Sequence, residues 1–258
     1  MAKKPSSTAT SARQAKIEAA RGSSGGGANK IVVAAAVVVV AIIAVVGGVI
    51  WVQQSTKDAV AGGGNALPTG VTALGAGYPA YADVTPAAGA PTVDVYEDFQ
   101  CPACAQFESI LGPTLQNLGE AGKAKVVYHV KNFLDDNLGN DSSTRAGNAA
   151  FCASDAGRFQ EFHNQVFANQ PAKEGAGYTD ETLKGFAQAA GISGAALTTW
   201  QKCLDAGTYV DYVNSVEHQS FSDGVRGTPT IRINGSDVEL QSIGTPELLT
   251  QAIQNATT

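Results

Sequence analysis

The sequence predicts an α/β domain in which a block of helices separates a strand–helix–strand beginning from a strand–strand–helix end, preceded by one membrane-spanning helix. Three observations carry this reading. The β-prone runs fall near residues 92–96, 125–133 and 230–240, no good strand lies between about 142 and 223, and residues 31–52 are uncharged throughout. Alternation marks the strands, and a 3.6-residue period with caps marks the helices.

Composition divides the chain. Residues 1–90 hold the long Gly- and Ala-rich tracts and no Cys, whereas all four Cys and all three His lie in residues 91–258. Residues 1–30 carry six cations against Glu18 alone, a net of +5, so the remainder carries −11 within the formal total of −6. An acidic folded part lacks the basic footprint that nucleic-acid binding needs, so no nucleic-acid partner is expected.

Ile31 to Val52 supplies 22 residues without a charge. As a helix they rise about 33 Å, enough for a hydrocarbon core of about 30 Å. Lys30 closes one end and Trp51 stands at the other. With the cations N-terminal, residues 1–30 are expected as a disordered basic cytoplasmic tail, and everything after 52 outside the membrane. A cleaved signal peptide is the alternative, although its apolar core normally spans only about 7–15 residues before a small-residue cleavage site. Residues 53–90 are rich in Gly, Ala, Pro and Thr without apolar period, which predicts a flexible linker whose ends lie about 35 Å apart.

The folded part is expected over residues 91–258. It opens with a strand at Pro91–Tyr96, followed by Gln100-Cys101-Pro102-Ala103-Cys104 and a helix through about Gly119. Lys125–Phe133 alternates as the next strand, and helices fit around 145–153, 159–168, 179–190 and 195–222. Thr230–Ile233 returns to strand. Asn234-Gly235 is a hairpin signal, and Thr245-Pro246 opens a last helix with Thr as N-cap and Pro at the first helical position.

Cys101 and Cys104, two residues apart, read as a redox pair or as half of a zinc site. A structural zinc site needs four ligands, and no second Cys-x-x-Cys accompanies the pair; His129, His163 and His218 show no paired spacing. Redox use is therefore the stronger reading, with no metal and no cofactor expected. Cys101 precedes a helix, where unpaired N–H groups and the dipole favour thiolate over thiol. Cys152 and Cys203, both in the helical block, pair as a structural disulfide if the domain lies outside the membrane; two buried free thiols are the alternative.

Asp98-Phe99-Gln100-Cys101-Pro102-Ala103-Cys104 resembles the active-site segment of DsbA-like disulfide oxidoreductases of the thioredoxin superfamily. Arg226-Gly227-Thr228-Pro229-Thr230 resembles that family's cis-proline loop, and the helical block at about 142–223 matches its insertion into a thioredoxin-like fold. The likeness covers about residues 91–258 and is similar to the membrane-anchored actinobacterial versions. It implies that Cys101 is the exposed attacking sulfur, that Cys104 is the buried resolving thiol, and that Thr228 and Pro229 present backbone to an extended substrate. Two positions depart from the family pattern. Ala103 stands where the best-known members have His, which implies a milder oxidant, and Val95 stands where they carry a buried acid. Glu97 and Asp98 are the nearest carboxylates, candidates for proton relay or simply solvated charges.

The resemblance further implies an oxidase that donates the Cys101–Cys104 disulfide to exported cysteine-containing proteins. Its expected reoxidising partner is a quinone-linked membrane oxidase of the vitamin K epoxide reductase-like class. A reductase or isomerase of the same fold, or a tethered peptide-binding module without turnover, are the other readings.

Overall fold

The computed structural model describes residues 64–257; the expected tail, membrane helix and the first part of the linker lie outside them. Among the described residues no helix is long and apolar enough to cross a membrane.

The chain forms β1 (Tyr78–Pro79), β2 (Thr92–Asp98), α1 (Pro102–Glu120), β3 (Lys125–Lys131) and a short α2 (Phe133–Leu138). The helical block follows as α3 (Ser142–Ser154), α4 (Phe159–Ala168), α5 (Asp180–Ala189), α6 (Gly194–Asp205) and α7 (Val210–Ser222). The chain then completes β4 (Thr230–Ile233), β5 (Ser236–Val238), a 3₁₀ turn and α8 (Pro246–Asn255). The strands make one sheet in the order β1-β3-β2-β4-β5. β2 and β3 run parallel, with Asp98 opposite Lys131, while β4 lies antiparallel to β2, with Thr230 opposite Tyr96. This register carries the end of β2 and the start of β4 to the same end of the sheet, so the Cys segment and the proline loop meet.

Val93, Val95, Val126, Tyr128, Val130 and Ile231 are buried beneath helices: α1, α3 and α7 pack on β3, and α8 packs on α1. α3 is the hub of the insertion. Ala146, Gly147, Ala149, Ala150 and Ala153 are small enough for α4, α6 and α7 to approach closely. A Cβ on Gly147 would stand 2.9 Å from the Val213 side chain of α7. Asp135, on α2, accepts from Ser143 N at 2.8 Å and Thr144 N at 2.9 Å, which satisfies two of the free donors at the start of α3.

The hairpin and the last helix form as the sequence predicts. Asn234 and Gly235 both take positive φ, 49° and 77°, the requirement of a two-residue type I′ turn. Thr245 Oγ1 accepts from Leu248 N at 3.3 Å, and Pro246 opens α8.

Three expectations need correction. The single helix expected over 195–222 is two, because the chain turns at Gly207, whose φ of +60° no helix interior accommodates. The strand expected to reach Phe133 ends at Lys131, because Phe133 begins α2. The expected linker differs most: residues 64–90 pack on the domain. Leu67 and Val71 lie against its core, Tyr78 pairs with Tyr128, and the Tyr78 ring sits 4.2 Å from that of Phe159. Tyr212 Oη donates to Ala76 O at 2.7 Å, and Gly75 N to Ser215 Oγ at 2.8 Å. Isolated anchors with no period between them hold this segment, which is why it reads as linker.

Candidate active site

Cys101 is the N-cap of α1, in extended conformation (φ −77°, ψ 116°), and Pro102 takes the first helical position without an N–H to leave unbonded. The Cys101 carbonyl accepts from Cys104 N at 3.1 Å and Ala105 N at 3.2 Å, which turns the two sulfurs to one side of the first turn. Both are free thiols. Cys101 is 7% exposed and Cys104 0%, so the sulfur expected to be openly exposed is reached only through a narrow opening, and its neighbour is sealed.

The Thr228–Pro229 peptide bond is cis. The Cys101 thiol donates to Thr228 O at 3.5 Å, which joins two segments 127 residues apart into one site.

The two thiols are driven apart in acidity. Cys101 is lowered from 9.0 to about 6, first by the Cys104 thiol donating to its sulfur. Burial opposes this, while the Thr228 side chain and the N–H groups of Cys104 and Ala103 support it. Cys104 is raised, first by burial and then by the Cys101 sulfur beside it. A thiolate at Cys101 beside a protonated Cys104 is the arrangement thiol–disulfide exchange requires.

The remaining sequence candidates have other partners. Asp98 is buried, with Oδ1 accepting from Ser143 Oγ at 2.5 Å and Gln100 N at 2.9 Å, and Oδ2 from Leu134 N at 3.2 Å. Burial pushes its carboxyl up to about 7, against these three bonds. Glu97 is 1% exposed and lies 2.6 Å from His163 Nε2. Neither carboxylate hydrogen-bonds to Cys101 or Cys104. Cys152 on α3 and Cys203 on α6 are joined as a disulfide, away from the free pair in sequence.

The insertion also supplies residues that no motif announced. Gln170 Nε2 donates to Phe99 O at 2.9 Å and Cys101 O at 3.0 Å, and Tyr178 Oη donates to Phe99 O at 2.7 Å. Local sequence around Gln170 carries no signal for this, since the contact spans about 70 positions.

A family model described as thioredoxin matches residues 86–255. Oxidised DsbA from Mycobacterium tuberculosis is 31% identical, and its structure superposes with a TM-score of 0.55 over 65% of this chain and 83% of that one. The chain belongs to the thioredoxin superfamily, among its DsbA-like thiol–disulfide oxidoreductases. MdbA, a thiol–disulfide oxidoreductase from Corynebacterium matruchotii, is 29% identical to this DsbA-like protein, with a TM-score of 0.51 over 59% of this chain and 78% of that one. The serine/threonine-protein kinase PknE of Mycobacterium tuberculosis is 26% identical over 147 residues, 54% of this chain and 26% of PknE. The DsbA-like chain thus spans about a quarter of the length of the curated relatives it matches. Its α/β fold is thioredoxin-like, with α3 to α7 as the helical insert.

Proposed function

We propose that the protein donates the Cys101–Cys104 disulfide to exported proteins during oxidative folding, from a domain tethered outside the membrane by residues 31–52. The observation that carries this reading is the placement of Cys101 at the N-cap of α1, its sulfur 3.5 Å from the Thr228 carbonyl of the cis-proline loop, with Cys104 sealed behind it; this lowers the Cys101 thiol and raises that of Cys104. A substrate thiolate attacks Cys101 Sγ, the Cys101–Cys104 bond breaks, and Cys104 leaves and takes up a proton. A second substrate thiolate then attacks the substrate sulfur of the mixed disulfide. Cys101 leaves as a thiolate, the substrate gains a disulfide, the second substrate proton passes to solvent, and the reduced enzyme holds the Cys101 thiolate beside the Cys104 thiol. A stabilised leaving thiolate favours this direction. Thr228 and Pro229, against Cys101, are placed to hold extended substrate backbone. Two electrons and two protons then pass to a quinone through a membrane oxidase of the vitamin K epoxide reductase-like class.

The test is the redox equilibrium of Cys101–Cys104 with glutathione, combined with trapping. An oxidase has a potential well above thioredoxin's value of about −270 mV. C104S then accumulates mixed disulfides with exported proteins at Cys101. A potential as low as thioredoxin's reverses the electron flow and makes the protein a reductase. A C101A strain without phenotype favours a binding module. Protease added to spheroplasts removes the Cys domain and leaves a small protected fragment; a mature chain starting near residue 53 refutes the anchor.

A further inference from the structure

One turn beyond Cys104 on α1, a second group of chemistry-bearing side chains meets in the core. Glu97 from β2, Glu108 from α1 and His163 from α4 are 1%, 7% and 0% exposed, and each offers a ligand atom within 4.8 Å of the other two. They lie 11 and 55 positions apart along the chain, so no spacing announces them, and the sequence reading expected no metal. The thiol chemistry uses none of their hydrogen bonds.

Two features make the cluster more than an internal ion pair. Glu97 Oε2 and Glu108 Oε1 are buried without any hydrogen-bond partner, and a carboxylate oxygen left so is costly. His163 is also oriented from behind. Its Nδ1 faces Asn164 Oδ1 at 3.3 Å, and Asn164 is held by a reciprocal amide pair with Gln116 at 3.0 and 3.3 Å. As it stands, His163 Nε2–H donates to Glu97 Oε1 at 2.6 Å; a bound ion takes the place of that proton, and Nδ1–H then donates to the Asn164 amide oxygen, which is how ligating histidines are supported.

We propose that Glu97, Glu108 and His163 form a site for a divalent first-row transition ion of the zinc class. One imidazole with two carboxylates suits such an ion, whereas calcium and magnesium ask for six or more oxygens and copper(I) for sulfur. Bonds of about 2.0–2.2 Å set tetrahedral ligands about 3.4 Å apart, so the three donors, now within 4.8 Å of one another, close on one ion by small side-chain rotations. His163 Nε2 and Glu97 Oε1, 2.6 Å apart, would crowd on one ion, and Glu97 relieves this by turning its free Oε2 inward. Bound there, the ion ties β2, α1 and α4 together behind the Cys helix.

The experiment uses the full-length protein carrying C101S and C104S, because reduced thiols bind zinc themselves. After stripping with a chelator, one equivalent of zinc is retained through dialysis and raises the melting temperature. Cobalt(II) gives visible d–d bands without the charge-transfer band of a thiolate. E108Q, which keeps the side-chain volume, and H163A each weaken zinc binding by at least 100-fold. If both variants fail to fold, the parent protein decides: paramagnetic cobalt must broaden or shift the His163 ring resonances ahead of those of His129 and His218. No retained ion, undiminished binding in E108Q, or an undisturbed His163 ring overturns the proposal.

Discussion

Gln170, in the loop after α4, donates its side-chain amide to the carbonyls of both Phe99 and Cys101, at 2.9 and 3.0 Å, so the helical insertion grips the backbone that carries the reactive sulfur. Pinning these carbonyls fixes the N-cap geometry that aims the first-turn N–H groups at Cys101 Sγ. Q170A is expected to cost about 1 kcal/mol of stability, the usual net worth of such a bond. It also moves the Cys101 midpoint upward from about 6, read from thiolate absorbance at 240 nm. Q170E sets an acceptor against two carbonyls and should do more damage. A midpoint unchanged in Q170A would reduce this residue to a packing role.

Alkylation of the reduced domain follows the Cys101 thiolate fraction, so its rate should rise with a midpoint near pH 6 while Cys104 stays unlabelled. The folded thiol titrates below its unfolded value. Its stabilisation of the reduced form is therefore complete above the unfolded value of about 8.5 and is lost as pH falls through about 6. The gap in stability between reduced and oxidised protein should grow in favour of the reduced form from pH 6 towards pH 8. Paired chemical denaturation of the two forms across that range checks the sign. Preferential labelling of Cys104 contradicts the assignment.

Asp98 shows the opposite dependence. Burial raises its carboxyl from 3.8 to about 7, so the folded protein holds a proton that the unfolded chain has released. From this group, stability should decline as pH rises from about 4 to 7 and level off above. D98N keeps the shape, removes that slope and sacrifices the bond from Leu134 N. D98A, which strands Ser143 Oγ and Gln100 N, is expected to cost about 3 kcal/mol. A pH–stability curve of D98N parallel to wild type would show that the proton is held elsewhere.

What the sequence made legible is what local chemistry dictates. Thr245 ahead of Pro246 states an N-cap, and Asn234-Gly235 states a turn, because each signal and its partner lie within a few residues. Cys101 ahead of Pro102 likewise announces a helix N-terminus. Residues 64–90 were opaque, since Leu67, Val71 and Tyr78 are single anchors whose partners lie far along the chain. The break at Gly207 was lost because Trp200, Leu204, Tyr212 and Val216 keep an apolar pattern on both sides of it. Gln170 and His163 were invisible as site residues for a related reason. An amide or an imidazole acquires its meaning only from the backbone or carboxylate that tertiary packing brings to it.

The disulfide between Cys152 and Cys203 ties α3, the hub of the insertion, to α6, and closes a loop of 51 positions. Closing such a loop removes about 4 kcal/mol of unfolded-state entropy in the chain model. C152S/C203S should lower unfolding free energy by an amount of that order, while thiol exchange at Cys101 persists because neither sulfur hydrogen-bonds to the active segment. The two disulfides should also separate under mild reductant. Cys101 leaves as a stabilised thiolate with its midpoint near 6, whereas Cys152 is 1% exposed and Cys203 only partly exposed, and nothing of that kind stabilises either as a leaving thiolate. Peptide mapping under non-reducing conditions should then recover Cys152 linked to Cys203 after Cys101 and Cys104 have been alkylated. Recovering Cys152 and Cys203 as free thiols from protein isolated in its native compartment would remove the brace, and the 4 kcal/mol would have to come from the packing of α4, α6 and α7 on α3 alone.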